Sequence, residues 1–291
     1  MLGIVNMIFA YSSLVDYLRN YKYTPIINYI NNYNGTHTLE INKFLHNPIY
    51  KGAFKLGLTN SCSLVNNNFG RVLESSSLDW RKNGVVTKVK DQGNCGSCWS
   101  FSATGALESV WAIHCGHLES FSEQELVDCS TAYGNDGCNG GEMTSAFEYV
   151  IDNGICLESD IPYVGHSESC SKDKCNSIPH FSSCKKLESG NQKQMMRYLQ
   201  YHPLSVGIQA NKPLFTFYKS GVITTADCGT DVDHGVLIVG YGTENGIDYW
   251  LVKNSWGEDW GDNGYVKIGR SSDSNDIGVC GIASAVSFPV V

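Results

Sequence analysis

The stretch QGNCGSCWSFSATGALE, residues 92–108, decides how the rest of the chain is read, because it joins a candidate nucleophile to the start of a helix. Cys98 is followed by Trp99, Phe101, Ala103, Ala106, Leu107, Val110 and Trp111, which cover nearly the whole circumference of a helix rather than one stripe. Such a helix is predicted to be buried. Cys98 then stands at its N-terminus, where the helix dipole and free backbone N–H groups favour a thiolate, and a neighbouring imidazolium would lower the thiol pKa further.

Two other readings of Cys95-x-x-Cys98 are a redox dithiol and half of a zinc site. A zinc site needs a second ligand pair at finger or ribbon spacing, which the chain lacks, and a redox dithiol would close a strand in a small βαβ fold instead of opening a long buried helix. The 291 residues, 42% hydrophobic and 11% aromatic, suit a globular chain with a large core and exclude a disordered one. No later run approaches 18 apolar residues, so no membrane span is expected after the N-terminus. The start, MLGIVNMIFAYSS, is apolar for about ten residues but has no Lys or Arg before it. It reads as a poor secretory signal, the remnant of one, or a buried N-terminal segment.

Twelve cysteines spread through the chain argue for disulfides and an oxidising compartment, hence secretion or a vacuole or lysosome. The net charge of −8 hides an asymmetry: residues 1–73 hold six Lys/Arg against two Asp/Glu, net +4, and the remainder is net −12. A basic segment followed by an acidic body suggests an intramolecular partner, and nucleic acid is an unsuitable ligand for a body of that sign.

Residues 14–34 read as a helix in two pieces, LVDYLRNYKY and IINYINNYN, interrupted at Thr24-Pro25 by proline. Residues 63–77, SLVNNNFGRVLESSS, lack apolar periodicity and read as an exposed linker and cleavage region, with the body starting near residue 74 ahead of Leu78-Asp79-Trp80. Asn34-Gly35-Thr36 is a glycosylation acceptor sequence in the N-terminal segment. A helical stretch follows to about residue 185. It comprises the Cys98 helix, SEQELVDC with Ser122 and Glu125 as a capping box, and EMTSAFEYVIDNG ending at Gly154. From about residue 203 short β-rich runs take over: LSVGI, GVLIVGYG, YWLVK and YVKIG. Two lobes are expected, about 92–185 and 186–291, with a cleft between them that brings Cys98 to residues of the strands.

The segments CGSCW, GCNGG, VDHGVLIVGYG and NSWGEDWG together resemble the papain family of cysteine peptidases, in its cathepsin L and falcipain subgroup. The resemblance implies an α+β fold, with a mainly helical lobe and an antiparallel β-barrel-like lobe flanking the active-site cleft. It implies an endopeptidase made as a zymogen, needing no metal or cofactor. His234, 136 residues after Cys98, is the expected base, and Asn254 would hold its ring, with Trp256 covering that bond from water. Gln92 and the backbone N–H of Cys98 would stabilise the oxyanion. The other histidines read as structural.

The same resemblance places the pocket for the substrate residue two positions before the scissile bond (P2) at Met143, Gly207, Val232 and Ala285. Gly140, Gly141 and Asp233 would lie along the substrate, with Glu142 at the rim. It implies the pairs Cys95–Cys138, Cys129–Cys170, Cys228–Cys280 and, as in some parasite-type relatives, Cys156–Cys175. Cys62, Cys115 and Cys184 stay open, with elimination the only ground for joining the last two.

Propeptides of the family carry E, R, F, N, I and N at helical spacings that fall here on Val15, Arg19, Tyr23, Ile26, Ile30 and Asn34, and Asn42-Lys43-Phe44 resembles the segment that follows. The implied partners are protein and peptide substrates, the chain's own propeptide and cystatin-type inhibitors, and a monomer is expected. A non-catalytic homologue on the same fold is the rival reading, disfavoured because Gln92, Cys98, His234 and Asn254 are all present. The inserted loop of exopeptidases resembling cathepsin B is missing, since GCNGGEMTSAFEYV runs straight into a helix.

Overall fold

The structure, a computed structural model, describes residues 22–45, 54–55, 62–65, 75–175, 179–273 and 275–291. The expectations for the apolar start, for the first helical piece up to residue 21, and for Val15 and Arg19 lie outside the described residues.

The helical lobe is built on α2 (Cys98–Cys115), which ends where Gly116, at φ 79°, donates its N–H to the Ala112 carbonyl. Its residues are enclosed on nearly every side, as the unstriped apolar pattern requires: Trp99, Ala103, Ala106 and Leu107 are fully buried. α3 (Glu123–Cys129) starts at Ser122, whose Oγ accepts from the Glu125 N–H at 3.0 Å. The return half of the expected capping box is not made. The Glu125 carboxylate instead accepts from the Cys156 N–H and the Tyr149 hydroxyl, tying α3 to the segment after α4 (Met143–Asn153).

The strands are β1 (His37–Leu39), β2 (Ser63–Leu64), β3 (Leu78–Asp79), β4 (Ser183–Lys186), β5 (Leu204–Ile208), β6 (Tyr218–Ile223), β7 (His234–Glu244), β8 (Ile247–Lys253), β9 (Tyr265–Gly269) and β10 (Val286–Val290). Their order is β1-β6-β9-β8-β7-β5-β10-β4-β2, with β3 also paired to β7. The sheet is antiparallel except at β6–β9 and β2–β4, two parallel pairs where only antiparallel pairing was expected. Two helices lie on this half. α5 (Gln192–Leu199) buries Met195, Met196, Tyr198 and Leu199, and α6 (Pro213–Thr216) is a single turn with Pro at its start, where its missing N–H costs nothing.

Two apolar cores result. One gathers Trp99, Leu107, Phe121, Leu126 and Phe147 from the helices with Leu237, Val239 and Leu251 from the sheet; the other gathers Val206, Ile208, Ile238, Trp250, Val252 and Ile268. They meet along α2 and β7. There Ser102 Oγ donates to the Val236 carbonyl at 2.7 Å, and Ser205 Oγ donates to the Ser102 carbonyl at 2.8 Å.

The N-terminal segment lies on this body. Residues 22–32 are helical (α1) straight through Thr24-Pro25, so the interruption expected at the proline is absent. Ile30 is buried with Leu45 and Phe217, and Tyr23, Ile26 and Ile27 pack on the same cluster, so tertiary burial offsets the local cost of the proline. β1 then pairs with β6, and Phe44 meets Trp256 edge to face at 5.1 Å. Lys43 contacts Asp91 at 2.8 Å and Asp259 at 3.2 Å, and Lys55 contacts Asp136 at 3.1 Å, so the basic segment meets acidic residues of the body at each of these points. The stretch read as a linker from residue 63 opens instead with β2, an edge strand beside β4.

Candidate active site

α2 delivers Cys98 as its first residue and β7 delivers His234 as its first residue, so the two elements that join the lobes each present a side chain at one end of their contact. Gly235 makes this approach possible: a β-carbon there would come within 3.3 Å of the Cys98 carbonyl oxygen and the Trp99 α-carbon, and within 3.2 Å of the Met143 sulfur. The Gly235 N–H points at the Cys98 thiol, as does that of Trp99.

His234 Nε2 and Asn254 Oδ1 are 2.7 Å apart; the ring donates and the amide oxygen accepts. Asn254 Oδ1 also accepts from the Ser255 N–H at 2.8 Å, which fixes the amide so that its oxygen, not its nitrogen, faces the histidine. Trp256 lies over the imidazole with ring centroids 4.8 Å apart, and is itself buried among Phe44, Phe215 and Trp260. Gln92 donates through Nε2 to the Cys95 carbonyl at 2.9 Å, and its Oε1 accepts from Ser255 Oγ at 2.7 Å. One amide hydrogen of Gln92 is therefore already used to orient the group, which is buried beside the turn that leads into α2.

Cys98 is fully enclosed and His234 is 4% exposed. Burial pushes the Cys98 thiol up to about 12, against the N–H groups of Gly235 on β7 and of Trp99 and Cys98 at the helix start, which pull it down. Burial likewise pushes His234 down to about 4, against its hydrogen bond to Asn254. In this covered arrangement exclusion of water opposes both charged forms, the thiolate expected at the helix start and the imidazolium beside it.

What helps to cover the site is the N-terminal segment. The Phe54 N–H donates to the Asp233 carbonyl at 3.2 Å and the Lys55 N–H to the Gly141 carbonyl at 2.9 Å, with Phe54 paired in parallel to Gly141. The Phe54 ring enters a pocket lined by Glu142, Met143, Thr144, Lys186, Leu187 and Ala285, where about 120 Å³ remains open beside it. Gly207 faces the ring, and Val232 packs on the same core. The structure therefore gathers Glu142, Met143, Gly207 and Ala285 about the Phe54 side chain and Gly141 and Asp233 along the backbone of residues 54 and 55, with Gly140 one residue before Gly141 at φ 116°.

Glu142, expected at the rim, is 5% exposed and lines the pocket together with Lys186, so charged side chains of both signs border the slot. Phe54, Lys186 and Leu187 carry no local motif. Phe54 reaches the pocket through backbone pairing of residues 54 and 55 with Gly141 and Asp233, and Lys186 and Leu187 through the β4–β10 register, neither of which any spacing in the sequence reveals.

Five disulfides are present: Cys62–Cys184, Cys95–Cys138, Cys129–Cys170, Cys156–Cys175 and Cys228–Cys280. Cys98 and Cys115 are free, so the pair suggested by elimination, Cys115 with Cys184, is not formed. β2 carries Cys62 to Cys184 instead. Among the described residues no cluster of His, Cys, Asp or Glu could hold a metal ion, and no helix is long and apolar enough to cross a membrane.

The profile described as papain family cysteine protease matches residues 74–290. The probable cysteine protease RD21B of Arabidopsis thaliana is 44% identical over 263 residues, covering 82% of this chain and 56% of that protein, so the chain spans little more than half the length of that relative. Among solved structures, the proform of the Amb a 11 cysteine protease, a major ragweed pollen allergen, aligns at 36% identity and a TM-score of 0.84, over 94% of this chain and 88% of that one. Digestive procathepsin L 3 of the Tenebrio molitor larval midgut aligns at 37% identity and a TM-score of 0.82, over 94% and 91%. A two-lobed α+β fold, a cysteine and a histidine brought to one end of the α2–β7 contact, and a matched profile over the whole body agree: the chain belongs to the papain family of cysteine proteases.

Proposed function

We propose that this chain is the zymogen of a cysteine endopeptidase in which Cys98 is the nucleophile and His234 the general acid and base. The observation that carries this reading is the 2.7 Å bond from His234 Nε2 to Asn254, because it leaves the other ring nitrogen for the thiol whose sulfur the neighbouring Gly235 N–H faces. Once the cleft is wet, the burial that opposes both charges falls away and the pair holds thiolate and imidazolium. The Cys98 sulfur then attacks a peptide carbonyl. The oxyanion is held by the Cys98 N–H and by the amide hydrogen of Gln92 that Cys95 does not use. His234 protonates the leaving amine, and water activated by His234 releases the acyl-enzyme.

Residues 1–73 act as the propeptide, with residue 74 near the start of the mature body. A hydrophobic P2 side chain takes the place that Phe54 holds. The work is protein degradation by a monomer in a lysosome, vacuole or extracellular space, with cystatin-type proteins as inhibitors. The five disulfides support an oxidising setting.

Cys98→Ala tests the reading. Hydrolysis of a fluorogenic peptide and covalent labelling by a thiol-directed reagent should both disappear, with stability within about 1 kcal/mol of the parent. Near-parental turnover in that variant would end the proposal.

A further inference from the structure

One disulfide joins the N-terminal segment to the body. Cys62 lies twelve residues before the proposed boundary at residue 74, and Cys184 lies on β4, which is held on its other side by β10. The Cα atoms are 4.8 Å apart and the residues are 2% and 4% exposed. The other contacts at this end are slight. Ser63 and Leu64 pair in parallel with Lys185 and Lys186, the Val65 N–H donates to the Lys186 carbonyl at 3.1 Å, and Lys185 Nζ donates to Ser63 Oγ at 2.8 Å. Leu64 itself is exposed. A two-residue edge strand with one outward-facing Leu does not hold a cut chain on its own.

We propose that the Cys62–Cys184 bond keeps residues up to 65 on the body after the chain is cut between Val65 and Ser75, so that release of the segment requires a thiol reductant as well as cleavage. Only seven residues separate Cys62 from Phe54, the residue in the pocket. The cut segment therefore rebinds as an intramolecular ligand at an effective concentration of order millimolar, and a segment of merely micromolar affinity still occupies the cleft about 99.9% of the time. Loosening the docked contacts by acid then leaves the segment attached and able to return.

Release is ordinary thiol–disulfide exchange. One small-molecule thiolate attacks a sulfur of the pair to form a mixed disulfide, and the other cysteine leaves as a thiolate that takes up a proton. A second thiol then resolves the mixed disulfide. Two thiols are oxidised to one disulfide while Cys62 and Cys184 each end as a thiol. Both cysteines are buried in the apolar core of the helical lobe, beside the point where β2 pairs with β4, so exchange is fast only once β2 has lifted from β4. This ties reduction to prior cleavage. Only the consequence for activity rests on the zymogen reading above; the tether itself does not.

The test places a recognition sequence for a site-specific protease between Val65 and Ser75 in a Cys98→Ala background, so that no self-cleavage intervenes. After cutting and blocking of free thiols, the intact mass under denaturing, non-reducing conditions should be that of two joined chains. Cys62→Ser, or treatment with dithiothreitol, should give two separate masses. Gel filtration of the native cut protein at about pH 4.5 should retain the segment on the body at least tenfold more in the parent than in a Cys62→Ser/Cys184→Ser double variant, which removes any misfolding driven by an unpaired Cys184. Separate masses from the unreduced parent, or equal retention in the parent and the double variant, would overturn the proposal. The same proteins with Cys98 restored report on the peptidase reading independently: activity absent even after dithiothreitol would remove that reading, and the mass and retention results would still decide the tether.

Discussion

Phe54 and Gly207 are fitted to one another: a β-carbon on residue 207 would lie 2.7 Å from Cε1 of the Phe54 ring, so the pocket floor is open only because residue 207 has no side chain. Burying a phenyl ring there stabilises the covered state by about 1.5 to 3 kcal/mol. Phe54→Ala should therefore raise the fraction of uncovered, peptide-hydrolysing zymogen by roughly 10- to 150-fold, read as initial rate before any cleavage appears on a gel. An unchanged rate would mean that Phe54 is a bystander.

The same pocket sets the substrate preference. Met143, Leu187 and Ala285 offer an apolar wall, and Lys186 adds a positive charge that an incoming arginine would have to face. Leu at P2 should exceed Arg by at least about tenfold in kcat/KM, since an unpaired buried guanidinium costs several kcal/mol whereas the Leu side chain gains about 2. Two fluorogenic dipeptides differing only at that position decide it. Equal rates would show Glu142 reaching the guanidinium.

Asn254 orients the imidazole and little else, as its Oδ1 is shared between His234 and the Ser255 N–H. Asn254→Ala leaves the buried His234 Nε2–H without its acceptor, at a cost of about 1 to 3 kcal/mol. The expected loss in kcat/KM is roughly 5- to 150-fold, with KM nearly unchanged and labelling of Cys98 slowed in parallel. A drop in KM-dependent binding alone would contradict a positioning role.

His37 gives the docked segment a dependence on acid. It is buried between Tyr33, 3.2 Å from its Nδ1, and Tyr218, and burial pushes its pKa from about 6.5 to about 4. Since the docked state disfavours the charged ring, its contribution is complete above pH 6.5 and is lost as the pH falls toward 4. A full loss is about 3 kcal/mol. The rings that face it, Tyr33 and Tyr218, stay neutral through that range, since a phenol ordinarily ionises near 10 and burial raises both further. In Cys98→Ala protein, His37→Gln should flatten the fall in melting temperature between pH 6.5 and 4. An identical slope in both proteins would place the acid response elsewhere, first among the carboxylates that Lys43 and Lys55 contact.

Behind α2 lies a buried ionic cluster. Lys90 Nζ contacts Glu108 at 2.9 Å and Glu123 at 2.6 Å, Thr87 and Thr104 donate to the same carboxylates, and Lys253 donates to Thr87. Lys90→Met should lower stability by about 3 to 5 kcal/mol, because two buried carboxylates lose their main counter-charge. Urea unfolding of the Cys98→Ala form measures it, and a loss under about 1 kcal/mol would show that Lys253 suffices.

The lobes and the residues of the candidate site were legible in the chain because each rests on local chemistry. An unstriped apolar run after Cys98 reads as a buried helix, β-rich runs from residue 204 onward read as strands, and His234, Asn254 and Gln92 stand in short segments that resemble those of the papain family. What the sequence could not decide depends on which distant atoms share a dry space. Cys98 stands at a helix N-terminus, which favours a thiolate, yet the folded chain buries it, which opposes the charge. Thr24-Pro25 should break a helix, yet Ile26, Ile27 and Ile30 are packed firmly enough to carry it through. Cys62 and Cys184 are 122 residues apart, and only the parallel alignment of β2 with β4 brings their α-carbons to 4.8 Å. Phe54 has no motif at all, and it enters the pocket because the backbone of residues 54 and 55 pairs with Gly141 and Asp233. Periodicity and residue chemistry act over a few neighbours along the chain. Desolvation and long-range pairing are set by the closed shape, so only tertiary structure could fix how far the site is removed from water and what lies across it.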